Sequence, residues 1–252
     1  MTASWVETSS PAFRARHTEA DADDVVGLLE MLEGARERIA GALPHAPAGI
    51  DVVVHASAAQ LSLAQPLVPV LRRLTTPAAR RYVAGWFTSR EIHVLAPRLL
   101  EERASRVSGS RDMLLLTPAA LYAGLAVAVA NPGLPPALRP GAMRRIVPWA
   151  WLSLGAGQWL SGQTAHARPA ITRRLREGPR PAFPPGVRDA WLLGGSVLDL
   201  LSREEGERAV VRLVLEPPGD PRRALERAFR GRSTVHSEGA WRSHLARLAG
   251  AH

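Results

Sequence analysis

Two long stretches without a charged residue occupy the middle of this 252-residue chain. The first runs from Met113 to Ala130, and the second from Ile146 to Ala165. From residue 113 to residue 165 there is no aspartate, glutamate or histidine. The charges there are three arginines in or beside a loop rich in proline and glycine. Any fold must give both stretches an apolar environment, because exposing that much apolar surface to water is unfavourable.

A membrane hairpin is one way to supply that environment, and a pair of buried core helices is the other. Eighteen uncharged residues are at the lower limit for a transmembrane helix. Both stretches are rich in alanine, glycine, serine and tryptophan rather than leucine and isoleucine, and Pro118 interrupts the first. This composition favours core helices over a membrane span.

The ends and the cysteine content point to a cytoplasmic protein. Thr2–Ala12 is polar and no apolar segment follows it, so no signal peptide is expected. The chain has no cysteine, which excludes disulfides and cysteine-bearing zinc sites.

The formal net charge is +9, and every basic side chain apart from histidine is arginine. Because lysine is absent and alanine, glycine and proline abound, this bias is typical of a GC-rich bacterial genome. The high charge alone therefore does not favour nucleic acid as a partner. An Arg-rich module that binds an anionic partner or a membrane surface stays open as an alternative function.

Strand and helix signals alternate before Ser110, whereas the rest of the chain shows helix and loop signals. Strands are predicted at 13–17, 50–55, 83–87 and 91–95, and the longest early helix begins at Asp21–Asp24. The sequence therefore predicts a mixed α+β fold. A small twisted sheet belongs to an N-terminal lobe, and the C-terminal lobe is mainly helical.

The second uncharged stretch carries a resemblance to a known family. Pro148–Gln163 reads PWAWLSLGAGQWLSGQ and resembles the segment P-x-W-L-x-E-G-x-A-x-Y-L-S-G of the peptidase MA-like gluzincins, the thermolysin-type zinc metallopeptidases. Ser237–Leu245 is similar to the family's terminal helix, and the order of elements also agrees over roughly residues 13–250. The resemblance implies one zincin-like domain over 1–252, with lobes at 1–109 and 110–252.

The residues that carry zinc chemistry in that family are replaced here. The glutamate of the family's segment is the third zinc ligand, and Leu154 stands at its position. The upstream H-E-x-x-H helix matches Leu121–Ala126, which places Tyr122 and Ala126 at the two histidines and Ala123 at the general base. The resemblance thus implies a metallopeptidase scaffold with a vestigial metal site, no catalytic residue, no bound metal and no cofactor.

The expected function is that of a catalytically inactive, metallopeptidase-like protein that binds a peptide or protein partner in the vestigial cleft. Seven residues are predicted to line this cleft: Trp86, Glu91, His93, Trp149, Trp151, Gln158 and Trp159. Core packing is the competing interpretation of the tryptophans. A second alternative is a hydrolase with an unrecognised active site, for which His55, His93 and Glu91 offer acid–base groups on predicted strands.

Overall fold

The computed structural model describes residues 4–134, 143–216 and 219–250. It has a five-stranded mixed sheet in the N-terminal region and helices in the C-terminal region, which confirms the predicted α+β class. The proline- and glycine-rich loop predicted between the two uncharged stretches falls largely at 135–142, outside the described residues.

The strands and helices follow one another in an order close to the one predicted. The strands are β1 (Trp5–Ser9), β2 (Phe13–Thr18), β3 (Ile50–His55), β4 (Gly85–Phe87) and β5 (Glu91–Leu95). The N-terminal helices are α1 (Ala22–Ala40), α2 (Ala58–Ala64), α3 (Leu67–Leu74), α4 (Pro77–Arg80) and α5 (Pro97–Glu102). The later helices are α6 (Ser110–Leu115), α7 (Thr117–Ala130), α8 (Met143–Leu160), α9 (Arg168–Arg176), α10 (Val187–Glu205), α11 (Glu207–Leu215), α12 (Pro221–Ala228) and α13 (Thr234–Leu248).

The sheet has the strand order β1-β2-β3-β5-β4. The three inner strands are parallel to one another, and the edge strands β1 and β4 are antiparallel to their neighbours. Strand β1 was not predicted. Its sequence, Trp-Val-Glu-Thr-Ser, does not alternate between apolar and polar residues, and none of its side chains is buried.

The two faces of the sheet differ in polarity. Because successive side chains of a strand point to opposite faces, the register aligns Ala15, Val52 and Ile92 on one apolar face. Helices α1 and α7 pack against that face. The opposite face carries ion pairs such as Arg14 with Asp51, at 2.9 Å.

Helix α7 lies in the core, as expected for the first uncharged stretch. Most of its side chains are buried, including Tyr122, whose hydroxyl donates a 2.9 Å hydrogen bond to the carbonyl oxygen of Pro47. The Tyr122 ring also packs edge-to-face on Phe13 of β2, with centroids 5.0 Å apart. Nowhere in the described ranges is there a helix long and apolar enough to cross a membrane.

Helix α8 lies between α7 and α10, and glycines allow it to approach both. A Cβ built at Gly157 would lie 2.5 Å from the carbonyl oxygen of Ala120 in α7. A Cβ built at Gly155 would lie 2.6 Å from the carbonyl oxygen of Gly194 in α10. Both contacts are with backbone atoms, which cannot rotate away as a side chain can. The three helices are therefore packed at a spacing that only glycine permits.

This packing predicts that Gly155→Ala destabilises the fold. The added methyl group must push α8 and α10 apart, and overpacking of this kind costs about 1–3 kcal/mol. The matched control is Gly27→Ala on α1, where nothing lies within 4 Å of the added Cβ. That control should stabilise the fold by about 0.5–1 kcal/mol through its higher helix propensity. Urea unfolding of the two variants measures both effects, and equal free energies of unfolding would contradict the packing.

Candidate functional site

Helices α7 and α8 and strand β4 surround a small cavity that is lined by Leu154, one of the four predicted metal-site positions. Its volume is about 30 Å³, close to the share of one water molecule in the liquid. The cavity is lined by Tyr82, Phe87, Thr117, Ala120, Leu121, Gly124, Ser153, Leu154, Gln158, Gln163 and Trp191. The lining holds no carboxylate, imidazole or thiol.

Leu154 reaches this cavity from α8, but the residues opposite it on α7 differ from those predicted. They are Thr117, Ala120, Leu121 and Gly124, whose spacing of three and four residues defines one face of a helix. Leu154 therefore meets the face that contains positions 120 and 124.

The predicted positions on α7 do not line the cavity, because they lie two residues further along the helix than Ala120, Leu121 and Gly124. A shift of two residues turns a side chain by about 200° on a helix of 3.6 residues per turn. Tyr122 accordingly points to Phe13 and Pro47 on the far side of α7, and Ala126, one turn later, shares that direction. Ala123 does not line the cavity either. The sequence could not set the phase of this helix, because α7 is apolar on nearly all sides.

Apolar side chains fill the space between the three elements. The ring of Phe87 in β4 presses on α7 so closely that a Cβ built at Gly124 would lie 2.8 Å from it. Leu121 packs against β4 in the same way, because its Cδ1 atom would lie 2.5 Å from a Cβ at Gly85. The edge strand and the helix are thus in direct contact, and no open cleft separates them.

The two amide side chains of the cavity are bound to the backbone. The Oε1 atom of Gln158 accepts a 2.9 Å hydrogen bond from the amide of Gly195, and its Nε2 atom donates to the carbonyl oxygen of Trp191. The Nε2 atom of Gln163 donates to the carbonyl oxygen of Met113 at 2.7 Å. These side chains join α8 and the turn after it to α10 and α6. The role of Gln158 in packing was not predicted, since a lone glutamine in an apolar helix carries no pairing signal.

The tryptophans predicted to line one cleft are distributed over separate places. Trp151 is buried in the core at 1% exposure, which favours the packing interpretation for this residue. Trp149 stacks on it with ring centroids 6.4 Å apart, and its other side lines a groove of about 720 Å³ beside Asn131 and Asp220. Trp159 is half-buried and packs against the core. Of the predicted residues on α8, only Gln158 and Leu154 line the small cavity.

Trp86, Glu91 and His93 lie on the polar face of the sheet, away from the cavity. Phe87 points to α7, so its neighbour Trp86 points to the other face, where it pairs with His93 across the two strands. The structure therefore does not bring these three residues together with Leu154. The alternation of side chains along β4 is the physical reason for this correction.

A buried histidine pair is the main feature of that polar face. The Nε2 atom of His55 lies 3.1 Å from the Nδ1 atom of His93, and the Trp86 ring stacks on His93 with centroids 3.8 Å apart. The Nε2 atom of His93 is 3.6 Å from a carboxylate oxygen of Glu91. Helix α2 contacts both strands beside this pair. Pairing of His55 with His93 follows from adjacent parallel strands, a relation that the sequence pattern left undefined.

Burial changes the acid–base behaviour of both imidazoles. It lowers the pKa of His55 to about 4, and the neighbouring His93 adds to the effect. Burial likewise lowers the pKa of His93 to about 4, with a smaller contribution from the positive charge of Arg16. Both rings are therefore neutral at pH 7, and the N–H group of one ring donates a hydrogen bond to the unprotonated nitrogen of the other.

A basic groove between residues 78–108 and the C-terminal helices contains further residues that the sequence did not assign to a site. Arg81, Arg173 and Arg176 line it. Arg81 is far from the other two in the chain, so only the fold brings it to them.

Comparison of the chain with protein-family models, with curated proteins and with solved structures finds no match.

The histidine pair predicts how stability depends on pH. An unfolded histidine has a pKa of about 6.5, so between about pH 6.5 and pH 4 the unfolded chain binds protons that the folded chain does not. The stabilisation is fully present above pH 6.5 and is lost as the pH falls toward 4. A His55→Gln/His93→Gln variant cannot titrate there, and it should lose less free energy of unfolding than the unmodified protein between pH 7.5 and pH 5.

Urea unfolding at constant ionic strength measures this difference. The matched control is His45→Gln/His236→Gln, which removes two exposed histidines and should keep the pH dependence of the unmodified protein. An equal loss of stability in the His55/His93 variant and the unmodified protein would show that the pair does not titrate as described.

Proposed function

We propose that the protein is a catalytically inactive, metallopeptidase-like binding protein, in which the architecture of a gluzincin remains and the metal chemistry does not. One observation carries the proposal. The cavity where α7, α8 and β4 meet has Leu154 on one side and Ala120, Leu121 and Gly124 on the other, with no ionisable ligand among its lining residues.

The order of elements supports the architectural part of the proposal. The sheet ends in the antiparallel pair of β5 and the edge strand β4. The long helices α7 and α8 come later in the chain, and α7 packs against β4. The resemblance implies the same arrangement, with the edge strand bordering the substrate cleft. We propose that the match to the family's helix lies two residues earlier than predicted, since Ala120 and Gly124 are one helical turn apart on the face toward Leu154.

The chemistry of the lining supports the inactive part. A catalytic zinc ion needs three protein ligands drawn from histidine, carboxylate or thiolate groups, and a general base must lie beside it. The cavity offers two amides that already bind backbone groups, the three hydroxyls of Tyr82, Thr117 and Ser153, and otherwise mostly apolar side chains. Such a lining supplies neither the ligands of a catalytic zinc ion nor a general base.

The alternative of a hydrolase centred on the sheet receives less support. His55 and His93 direct ring nitrogens at each other, both rings are buried, and Trp86 covers one face of His93. Neither histidine lines one of the cavities described above. An acid–base pair needs access to a substrate, which this arrangement does not offer.

Binding in the old cleft is also restricted by its volume. A peptide side chain cannot enter about 30 Å³ unless Phe87 or Leu154 moves. We therefore assign the binding of a protein partner to the surface of the scaffold rather than to the vestigial site.

Metal content and peptidase activity test the proposal directly. Purified protein should contain no stoichiometric zinc by elemental analysis, and a chelator should leave its melting temperature unchanged. It should not cleave casein or a mixed peptide library in the presence of added zinc. One zinc per chain, or cleavage that a chelator abolishes, would overturn the proposal.

A graft tests the architectural part. We expect Ala120→His, Leu121→Glu, Gly124→His and Leu154→Glu, combined with Phe87→Ala to make room for the second histidine, to create a zinc site. The four polar side chains then supply two imidazoles, a third ligand and a base around one point. A higher melting temperature in the presence of zinc than in its absence would show that the site has formed.

The matched control carries the same residue types in the register predicted from the sequence. Tyr122→His, Ala123→Glu and Ala126→His together with Leu154→Glu should bind no zinc, because the histidines then face away from α8. The proposed position of the site would be contradicted if zinc raised the melting temperature of the control. It would also be contradicted if the graft folded but its melting temperature did not change with zinc.

A further inference from the structure

We propose that an open groove between residues 78–108 and the C-terminal helices binds an acidic peptide segment of a partner protein. The groove has a volume of about 890 Å³ and lies between α9, the end of α4 and residues 105–108. Four arginines line it, Arg81, Arg168, Arg173 and Arg176, together with one carboxylate, Glu177. This inference goes beyond the proposed function and does not depend on the resemblance to peptidases.

The single carboxylate of the groove leaves most of the positive charge uncompensated. One oxygen of Glu177 pairs with the Nε atom of Arg173 at 2.5 Å, and the other accepts a 3.0 Å hydrogen bond from the amide of Ala78. Within the part of the chain that the structure describes, Arg81, Arg168 and Arg176 form no ion pair with a carboxylate. Three guanidinium groups, of which Arg81 and Arg176 are tested below, are therefore available to an anionic ligand.

A buried ion pair fixes the helix that carries these arginines. Arg174 is 4% exposed and binds Asp189 of α10 through two nitrogens, one of them at 2.9 Å from its partner oxygen. Its third nitrogen donates to the carbonyl oxygen of Glu177 at 2.7 Å. With Arg174 anchored inside, Arg173 and Arg176 are held on the groove side of α9. A site that is ordered before binding loses less entropy when a ligand arrives.

The lining of the groove combines aliphatic and hydroxyl side chains with the arginines. Val107 and Pro169 contribute aliphatic surface, and Val107 is 54% exposed. Ser105 and Ser108 supply hydroxyls to the same lining. A ligand that fits must combine negative charges with aliphatic groups along an extended backbone, which describes a peptide with acidic side chains.

The chemistry of the groove favours a peptide over nucleic acid. Proteins that bind single strands stack bases on aromatic side chains, but the aromatic residue in this lining, Tyr82, is 4% exposed. Guanidinium groups match carboxylates through two parallel hydrogen bonds, and such charge-assisted pairs are stronger than neutral ones. Arg81 and Arg176 can each receive one carboxylate of an acidic segment.

Fluorescence anisotropy with a labelled peptide of glutamate, alanine and valine tests the proposal. The unmodified protein should bind this peptide at near-physiological salt. Arg81→Gln/Arg176→Gln should weaken binding about tenfold or more, because two charge-assisted contacts are lost. Arg222→Gln/Arg223→Gln changes the net charge equally at two exposed residues of α12, and it should change affinity by about twofold or less.

Three competing results would overturn the proposal. They are the absence of binding to the acidic peptide, equal weakening by both variants, and stronger binding of single-stranded DNA of the same charge. A benzophenone-bearing version of the peptide gives a readout that does not depend on the variants. It should cross-link to residues 105–108 or to α9, and cross-links confined to other regions would also overturn the proposal. Unchanged melting temperatures of both variants establish that they fold.

Discussion

The close approach of α8 to α7 and α10 determines how the three central helices of this protein pack. Gly157 meets the backbone of α7 at Ala120, and Gly155 meets the backbone of α10 at Gly194. Backbone-to-backbone contact leaves no room for adjustment by side-chain rotation, so the phase of α8 is fixed relative to both helices. Gln158 adds a polar link of the same kind, because its amide binds two backbone groups of α10.

This fixed rotation of α8 about its axis explains why the cavity beside Leu154 is small. With α8 held in place, Leu154 is directed at α7, and Phe87 of the edge strand reaches the same point from the sheet. Most of the residues that meet there are apolar, and the space among them is about 30 Å³. Charge is instead concentrated on the surface, where Arg81 and Arg176 line an open groove.

The sequence was a good guide wherever one residue pattern decides one element. The β-branched run Ile50–His55 forms strand β3 with the bounds predicted for it. The sequence was a poor guide to the rotation of a helix about its own axis and to which strands lie side by side. Helix α7 is apolar on nearly every side, so no amphipathic stripe showed which face meets Leu154. His55 and His93 are 38 residues apart, and only the strand register brings their rings together.

Cross-linking of paired cysteines tests the central claim, which is that Leu154 faces positions 120 and 124 of α7. The chain has no cysteine of its own, so each introduced pair can be read without background. A short bis-methanethiosulfonate reagent, which forms a disulfide with each cysteine and releases sulfinate, should link Ala120→Cys to Leu154→Cys across the small cavity, and it should not link Tyr122→Cys to Leu154→Cys. Efficient linking of the second pair, with none of the first, would contradict the register and with it the site described for this protein.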